Sequence, residues 1–277
     1  MVTFHGPTGQ FYSIWHFVSS YLLTYWTNAR GASIEATAKP AAKPLVLYEY
    51  SGCPFCQRVR AVISELDLDA QVYPTPRVTI KAYAKAGDSR YRHEVREKSG
   101  QLMFPYMEDP NTGARMSESG AIIAYLLETY GGGAVARPFS TLPISKLMFR
   151  SLRLSLYFGM LRVPSRLPAE PLTFLGAQGN AGSIMVFDAL TCLELPYLWK
   201  ACARGSRKEA ELAELAGPTA ALCLKDPNTS FVSSVPATIA RYLYKTYQTG
   251  SMPKETILDY STEGASSQHG TLSSKVE

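Results

Sequence analysis

Residues 45–68 read LVLYEYSGCPFCQRVRAVISELDL. The first six, LVLYEY, are rich in apolar and aromatic side chains and predict a short strand. CPFCQRVRAVISELDL then places Val59, Val62, Ile63 and Leu66 at helical spacing. A strand that runs into a helix through Cys-Pro-Phe-Cys indicates redox or thiol chemistry. Cys53 falls at the helix N-terminus, where exposed backbone N–H groups and the positive dipole end favour a thiolate. Pro54 suits the first turn because no N–H donor is needed there. Arg58 and Arg60, one to two turns on, can add to the stabilisation. Thiols in this setting reach pKa values of roughly 3.5 to 7.5. Cys53 reads as the nucleophile and Cys56 as the thiol that resolves a mixed disulfide. The competing readings are half of a zinc site and a structural cysteine pair. No second CxxC or Cys/His pair at ligand spacing occurs and His93 is isolated, so no metal is expected. Cys192, Cys202 and Cys223 lack such a context and read as buried thiols.

Downstream, residues 76–98 are charged and read as a helix or long loop. FPYMEDPNTG (104–113) reads as a strand ending in a turn at Asp109-Pro110-Asn111-Thr112-Gly113. SESGAIIAYLLETYGGG starts at a serine, ends at glycines and aligns Ile122, Ile123, Leu126 and Leu127 on one face, which predicts a helix. The predicted order is strand, helix, loop, strand, turn, helix.

The chain has 277 residues, about two average domains. Hydrophobic residues make up 46% and charged residues 18%, a composition that forms cores and excludes wholesale disorder. A net charge of +5 is too small to indicate nucleic acid, and no such partner is expected. No apolar run reaches the roughly 18 residues of a membrane span, so a soluble protein is expected. The positive surplus has a location: residues 134–169 hold Arg137, Lys146, Arg150, Arg153, Arg162 and Arg166 and no acid. This stretch, 134–170, reads as a basic apolar linker. Its part 144–162 is a candidate for peripheral membrane contact, against the alternative of a helix packed between globular units. Residues 1–43 read as an N-terminal extension. Phe11 to Trp26 is aromatic and uncharged apart from a proton on His16, and an acid-poor, Ala- and Ser-rich stretch follows. A targeting leader is one reading and a disordered extension the other. Residues 251–277 are polar and Ser-rich, and disorder is expected there.

The chain also repeats itself. Residues 94–130 align without gaps onto 211–247, with 13 of 37 positions identical, including Asp109-Pro110-Asn111-Thr112 against Asp226-Pro227-Asn228-Thr229. Residues 44–68 align onto 171–195, matching Pro44, Leu45, Gly52, Val59, Leu66 and Leu68. Two similar units, 44–133 and 171–250, are expected. Cys53-Pro54-Phe55-Cys56 becomes Asn180-Ala181-Gly182-Ser183 in the second, Arg58 and Arg60 become Met185 and Phe187, Phe104-Pro105 becomes Ala221-Leu222, and Glu118-Ser119 becomes Val235-Pro236. The second unit reads as a retained scaffold without the reactive positions.

YEYSGCPFCQRVR, FPYMEDP and SESGAIIAYLLETY resemble the thioredoxin-like N-terminal domain of glutathione S-transferases and the related glutaredoxins. The tandem arrangement with its DPNTG turn is similar to plant and algal proteins carrying two such domains, often plastid-directed. The resemblance implies two tandem thioredoxin-like α/β domains, each a mixed sheet with helices on both faces, the second degenerate. It implies glutathione as cosubstrate, with Cys53 facing its sulfur and Phe55 beside it. Phe104 would offer backbone hydrogen bonds next to a cis Pro105, and Glu118 and Ser119 would hold the γ-glutamyl end. Helix capping is the other reading of Glu118 and Ser119. The helical second domain of the transferases has no counterpart in the sequence. That favours glutathione-dependent thiol–disulfide exchange on a thiol or disulfide substrate. Transfer to, or isomerisation of, an electrophile with Cys53 alone is the second reading, and a non-enzymatic glutathione-binding or partner-binding protein the third. An intracellular site is expected, in a chloroplast or other organelle if the leader is real and in the cytoplasm otherwise.

Overall fold

A computed structural model describes residues 18–22, 24, 29–35, 37–77, 89–134 and 159–250. The C-terminal tail and most of the aromatic N-terminal run lie outside them, as does most of 144–162. Among the described residues, no helix is long and apolar enough to cross a membrane.

The first half runs β1 (Leu45–Glu49), α1 (Pro54–Glu65), β2 (Asp69–Pro74), α2 (Arg92–Ser99), β3 (Tyr106–Glu108), β4 (Arg115–Ser117) and α3 (Ser119–Tyr130). The second repeats that order: β5 (Leu172–Gly176), α4 (Ala181–Cys192), β6 (Tyr197–Ala201), α5 (Glu209–Ala216), β7 (Leu222–Asp226), β8 (Phe231–Ser233) and α6 (Pro236–Tyr247). The sequence reading missed β2. Its residues, DAQVYP, alternate in burial but carry Asp, Gln and Pro, so the strand signal is weak.

All strands join one sheet in the order β4-β3-β1-β2-β6-β5-β7-β8. Within each half the first two strands are parallel and the rest antiparallel. The sheet is thus mixed, in the α/β class. Side chains alternate along β1. Leu45 and Leu47 join the core that holds Val59, Ile63, Ile122 and Leu126 from α1 and α3. Tyr48 packs on the other face with Tyr91, Val95 and Tyr106. Helices therefore cover both faces.

The halves meet through antiparallel pairing of β2 with β6, in which Gln71 faces Leu198. Those two residues are also partners under the 127-residue repeat shift, so a pseudo-twofold axis passes between them. Contacts across the seam come in reciprocal pairs, as such an axis requires. The Ser206 hydroxyl donates to Asp67 at 2.5 Å and the Ser89 hydroxyl donates to Glu194 at 2.7 Å. The Gln178 N–H donates to Ser64 Oγ at 3.0 Å and the Ser51 N–H to Thr191 Oγ1 at 3.2 Å. Asp67 and Glu194 hold φ of +54° and +46°. Each carboxylate accepts across the seam, which explains why neither turn position carries glycine.

The segments read as extension and linker are docked where they are described. Ile34 donates to Arg204 O at 3.0 Å, Lys39 to Tyr130 O at 2.8 Å and Arg166 to Tyr247 O at 2.9 Å. Residues 29–35 with 37–43, and residues 159–170, are equivalent lead-ins, one to each half. The acid-poor composition of 134–170 hid this, because backbone pairing leaves little trace in sequence.

The repeated Asp-Pro-Asn-Thr runs are structural clamps. Asp109 is buried and accepts from the Tyr125 and Tyr130 hydroxyls, both at 2.6 Å, and from the Asn111 N–H at 2.8 Å. Asp226, Tyr242, Tyr247 and Asn228 repeat the arrangement. Asn111 and Asn228 also tie down the backbone of Lys43 and Glu170. Burial opposes ionisation of both aspartates, but the hydroxyl and Asn hydrogen bonds outweigh it and hold them below their usual value. Tyr130→Phe or Tyr247→Phe should cost about 1–3 kcal/mol in urea melts at pH 7. A lowered native pKa gives stability present above the ordinary value of 3.8 and lost as pH falls through the native one. The variants' deficit should therefore shrink in acid. A deficit independent of pH would show that the clamp is not ionised.

Candidate functional site

Cys53 is the N-cap of α1, in extended backbone conformation, with Pro54 behind it in the first turn. Its thiol is lowered to about 7. The Cys56 thiol donates to it and is the largest cause. Burial opposes the shift, and the backbone N–H groups of Cys56 and Phe55 and the Tyr50 hydroxyl add to it. Cys53 makes no formal capping hydrogen bond; the neighbouring N–H groups act on it as oriented dipoles. Cys56 is fully buried, and its thiol is pushed well above the ordinary value by burial first and by Cys53 second. Burial plus a shared proton therefore separates the pair into one thiol poised to ionise and one held neutral. Both cysteines are free.

Cys53 is only 3% exposed but lines a pocket of about 250 Å³. Phe55 (52% exposed) and Met103 form its outer lip, and Tyr50, Leu102 and Phe104 are its apolar walls. Phe104 leads into Pro105 through a cis peptide bond. Glu118 and Ser119 close the far side, at the start of α3. Glu118 has φ of +81°, and its Oε2 accepts from the Gly120 and Ala121 N–H groups at 2.9 and 3.1 Å. One carboxylate oxygen thus caps the helix, as the capping reading requires. Ser119 is buried and its Oγ has no partner among the described residues. A buried hydroxyl without a partner in a pocket wall is a ready hydrogen-bonding group for a polar ligand.

Arg60 does not serve the thiol. It is fully buried, ion-paired with Glu49, donates to Gln178 Oε1 at 2.6 Å and to Ser51 O at 3.2 Å, and lies over the Phe187 ring. It points into the seam between the halves. Arg58 is exposed on α1, and neither arginine is among the main causes of the lowered Cys53 value.

Tyr50 and Arg92 belong to the site and were missed. Arg92 is buried, donates to the carbonyls of Thr75 and Pro76, and places its guanidinium 4.7 Å from the Phe104 ring centroid. It brings a positive charge to the pocket. Both could have been flagged by subtracting the repeats, since their counterparts are Ala177 and Glu209. At the matching place in the second half, a cleft of about 600 Å³ is lined by Ala177, Asn180, Glu209 and Ala221. It is wider because alanines replace Tyr50 and Phe104.

Among the described residues, no group of His, Cys, Asp and Glu could hold a metal ion. Residues 47–134 match the family model described as glutathione S-transferase, N-terminal domain. No curated protein and no solved structure matches the chain. The match, the β-α-β-α-β-β-α order and the cysteine at the first helix N-terminus agree: residues 47–134 form a thioredoxin-like domain of the glutathione S-transferase N-terminal type.

Proposed function

We propose that the chain is a glutathione-dependent thiol–disulfide oxidoreductase whose working site lies in the first half, with the second half a copy that has lost it. The observation that carries this reading is the split cysteine pair. Cys53 ionises near neutrality while Cys56 stays protonated, and only Cys53 opens on the pocket.

The Cys53 thiolate attacks the glutathione sulfur of a mixed disulfide. The substrate thiolate leaves and takes up a proton, and glutathione remains disulfide-bonded to Cys53. Phe104 and Ser119 border that position, while Arg92 and the free oxygen of Glu118 suit the carboxylate and ammonium of the tripeptide. Two exits balance. A second glutathione thiolate attacks the bound glutathione sulfur, releasing oxidised glutathione and the Cys53 thiolate. Alternatively, Cys56 loses its proton and attacks the Cys53 sulfur, releasing glutathione and leaving a Cys53–Cys56 disulfide. Burial disfavours the Cys56 thiolate, although the Cys53 charge that adds to this disappears once the mixed disulfide forms.

The test is reduction of a small glutathione mixed disulfide with glutathione as reductant, comparing wild type with Cys56→Ser. The Ser variant should keep the first exit and lose the intramolecular disulfide, detected by mass spectrometry after oxidation. No reduction by wild-type protein, together with no glutathione binding by calorimetry, would sink the proposal. The family match supports a second reading, transfer of glutathione to a small electrophile by Cys53 alone. It predicts turnover of such an electrophile that Cys56→Ser leaves intact.

A further inference from the structure

We propose that Arg77 is a positioning residue for the Cys53 thiol, acting through Tyr50, and that the second half holds this arrangement in place. The inference rests on the reading of Cys53 as the nucleophile.

Arg77 follows β2 and Pro76. Its guanidinium Nη2 donates to the Tyr50 hydroxyl at 3.4 Å, and its Cζ lies 5.8 Å from the Tyr50 ring centroid. Tyr50 stands three residues before Cys53 and lines the same pocket. A phenol that accepts from a cation becomes a stronger donor, because each hydrogen bond polarises the next. The Tyr50 hydroxyl is in turn among the groups that lower the Cys53 thiol, and the two side chains line the same pocket.

The second half fixes both ends of this relay. Arg77 is bridged by two backbone bonds: its N–H donates to Met160 O at 2.7 Å, and the Arg162 N–H donates to Arg77 O at 2.8 Å. The turn that carries the thiol is gripped as well. The Ser51 N–H donates to Thr191 Oγ1 at 3.2 Å and the Gly52 N–H to Gly159 O at 2.9 Å. Gly159 has φ of +62°, and a Cβ there would fall 2.8 Å from the Ser51 Cβ and 2.3 Å from an Asp188 oxygen, so only glycine permits this approach.

The pseudo-symmetric counterpart separates scaffold from chemistry. Arg204 makes the same backbone bridge, accepting from Ile34 and donating to Ala32, both at 3.0 Å. But Ala177 stands where Tyr50 would be and Asn180 where Cys53 would be, and Arg204 is exposed. The bridge is kept in both halves; the side-chain relay exists only beside the thiol. Among the described residues, the other ionisable groups around Cys53 are Cys56 from α1, with Glu49 acting on Cys56, and Arg92 and Glu118 across the pocket. None of these is altered by a change at Arg77.

The test is the pH dependence of alkylation of reduced protein, mapped to Cys53 by mass spectrometry. Arg77→Met should raise the alkylation midpoint by about half to one pH unit. The thiolate fraction at pH 7 then falls by roughly threefold. Arg77→Lys, which keeps a cation and a donor, should restore most of the shift. Tyr50→Phe should raise the midpoint too, and the double variant Tyr50→Phe/Arg77→Met no further than Tyr50→Phe alone, because the two act in series. Arg204→Met should leave the midpoint unchanged. Thermal melts identify any variant that has lost its fold, and Arg77→Lys then carries the comparison. An unshifted midpoint in Arg77→Met, or additive shifts in the double variant, would overturn the relay. A wild-type midpoint at the ordinary thiol value near 8.5 would overturn the nucleophile reading itself.

Discussion

Cys53→Ser should abolish reduction of a glutathione mixed disulfide, a loss of at least about 100-fold, while glutathione binding persists. A serine hydroxyl stays protonated near neutrality and its oxygen cannot enter thiol–disulfide exchange. The pocket walls at Phe104, Ser119 and Arg92 are untouched, so calorimetry should still detect glutathione. In the wild type, activity should rise as pH passes through about 7, where Cys53 ionises, and level off above it. Cys56→Ala, which removes the largest cause of the lowered value, should move that rise to higher pH. A Cys53→Ser protein with full turnover, or a wild type whose rate is flat through this range, would end the mechanism.

The second large effect is on stability. Arg60→Met should cost about 3–5 kcal/mol in urea melts at neutral pH, because it leaves a charge buried without its partner. Glu49 and Arg60 are both fully buried. Burial already raises the Glu49 carboxyl above its ordinary 4.5, with Arg60 opposing the rise and Asp188 adding to it. A raised carboxyl contributes stability that is fully present below the unfolded value and lost as pH rises through the native one. Removing Arg60 raises it further, so the deficit should grow from pH 5 to pH 8. Replacing both partners with methionine should cost less than Arg60→Met alone. A deficit under about 1 kcal/mol, or one equal at the two pH values, would show that the pair does not hold the seam.

Arg60 also shows where reading the repeat as loss of chemistry goes wrong. Its counterpart is Phe187, and the structure puts the Arg60 guanidinium 4.9 Å from the Phe187 ring centroid. Close to a twofold axis a residue meets its own counterpart. Two arginines there would bury like charges; an arginine on a phenylalanine makes a cation–π contact instead. The change from Arg60 to Phe187 is therefore fitted to the seam. The changes from Cys53 to Asn180 and from Tyr50 to Ala177 replace a thiol and a phenol that line the pocket. Sequence alone treats them alike, because it does not say which face each residue turns to.

The Asp109 and Asp226 clamps were legible as a repeated motif but not as clamps. Their tyrosine partners lie 16 and 21 residues on, and no local pattern links them. Glu118 was legible as a helix start, and the structure shows its carboxylate bonded to that helix. Arg92 was legible only through its unlike counterpart, Glu209, and Arg77 not at all, since its counterpart is again an arginine, Arg204. Arg92 lines the pocket and Arg77 contacts Tyr50, each from a charged stretch that reads as solvent-facing.

By itself, the sequence determined the local elements around Cys-Pro-Phe-Cys, the similarity of the chain to itself, and the single occurrence of Cys-Pro-Phe-Cys. Periodicity, helix-start chemistry and self-alignment act over a few residues or compare like with like, so they survive without coordinates. The tertiary structure decided that the halves share one continuous sheet, that the lead-in segments bridge across it, that Arg60 points into the seam, and that Tyr50 and Arg92 line the pocket of Cys53 with Arg77 bonded to Tyr50. Those outcomes depend on backbone pairing and side-chain direction between residues up to about 140 positions apart. The pairing of β2 with β6 joins the two halves into that one sheet.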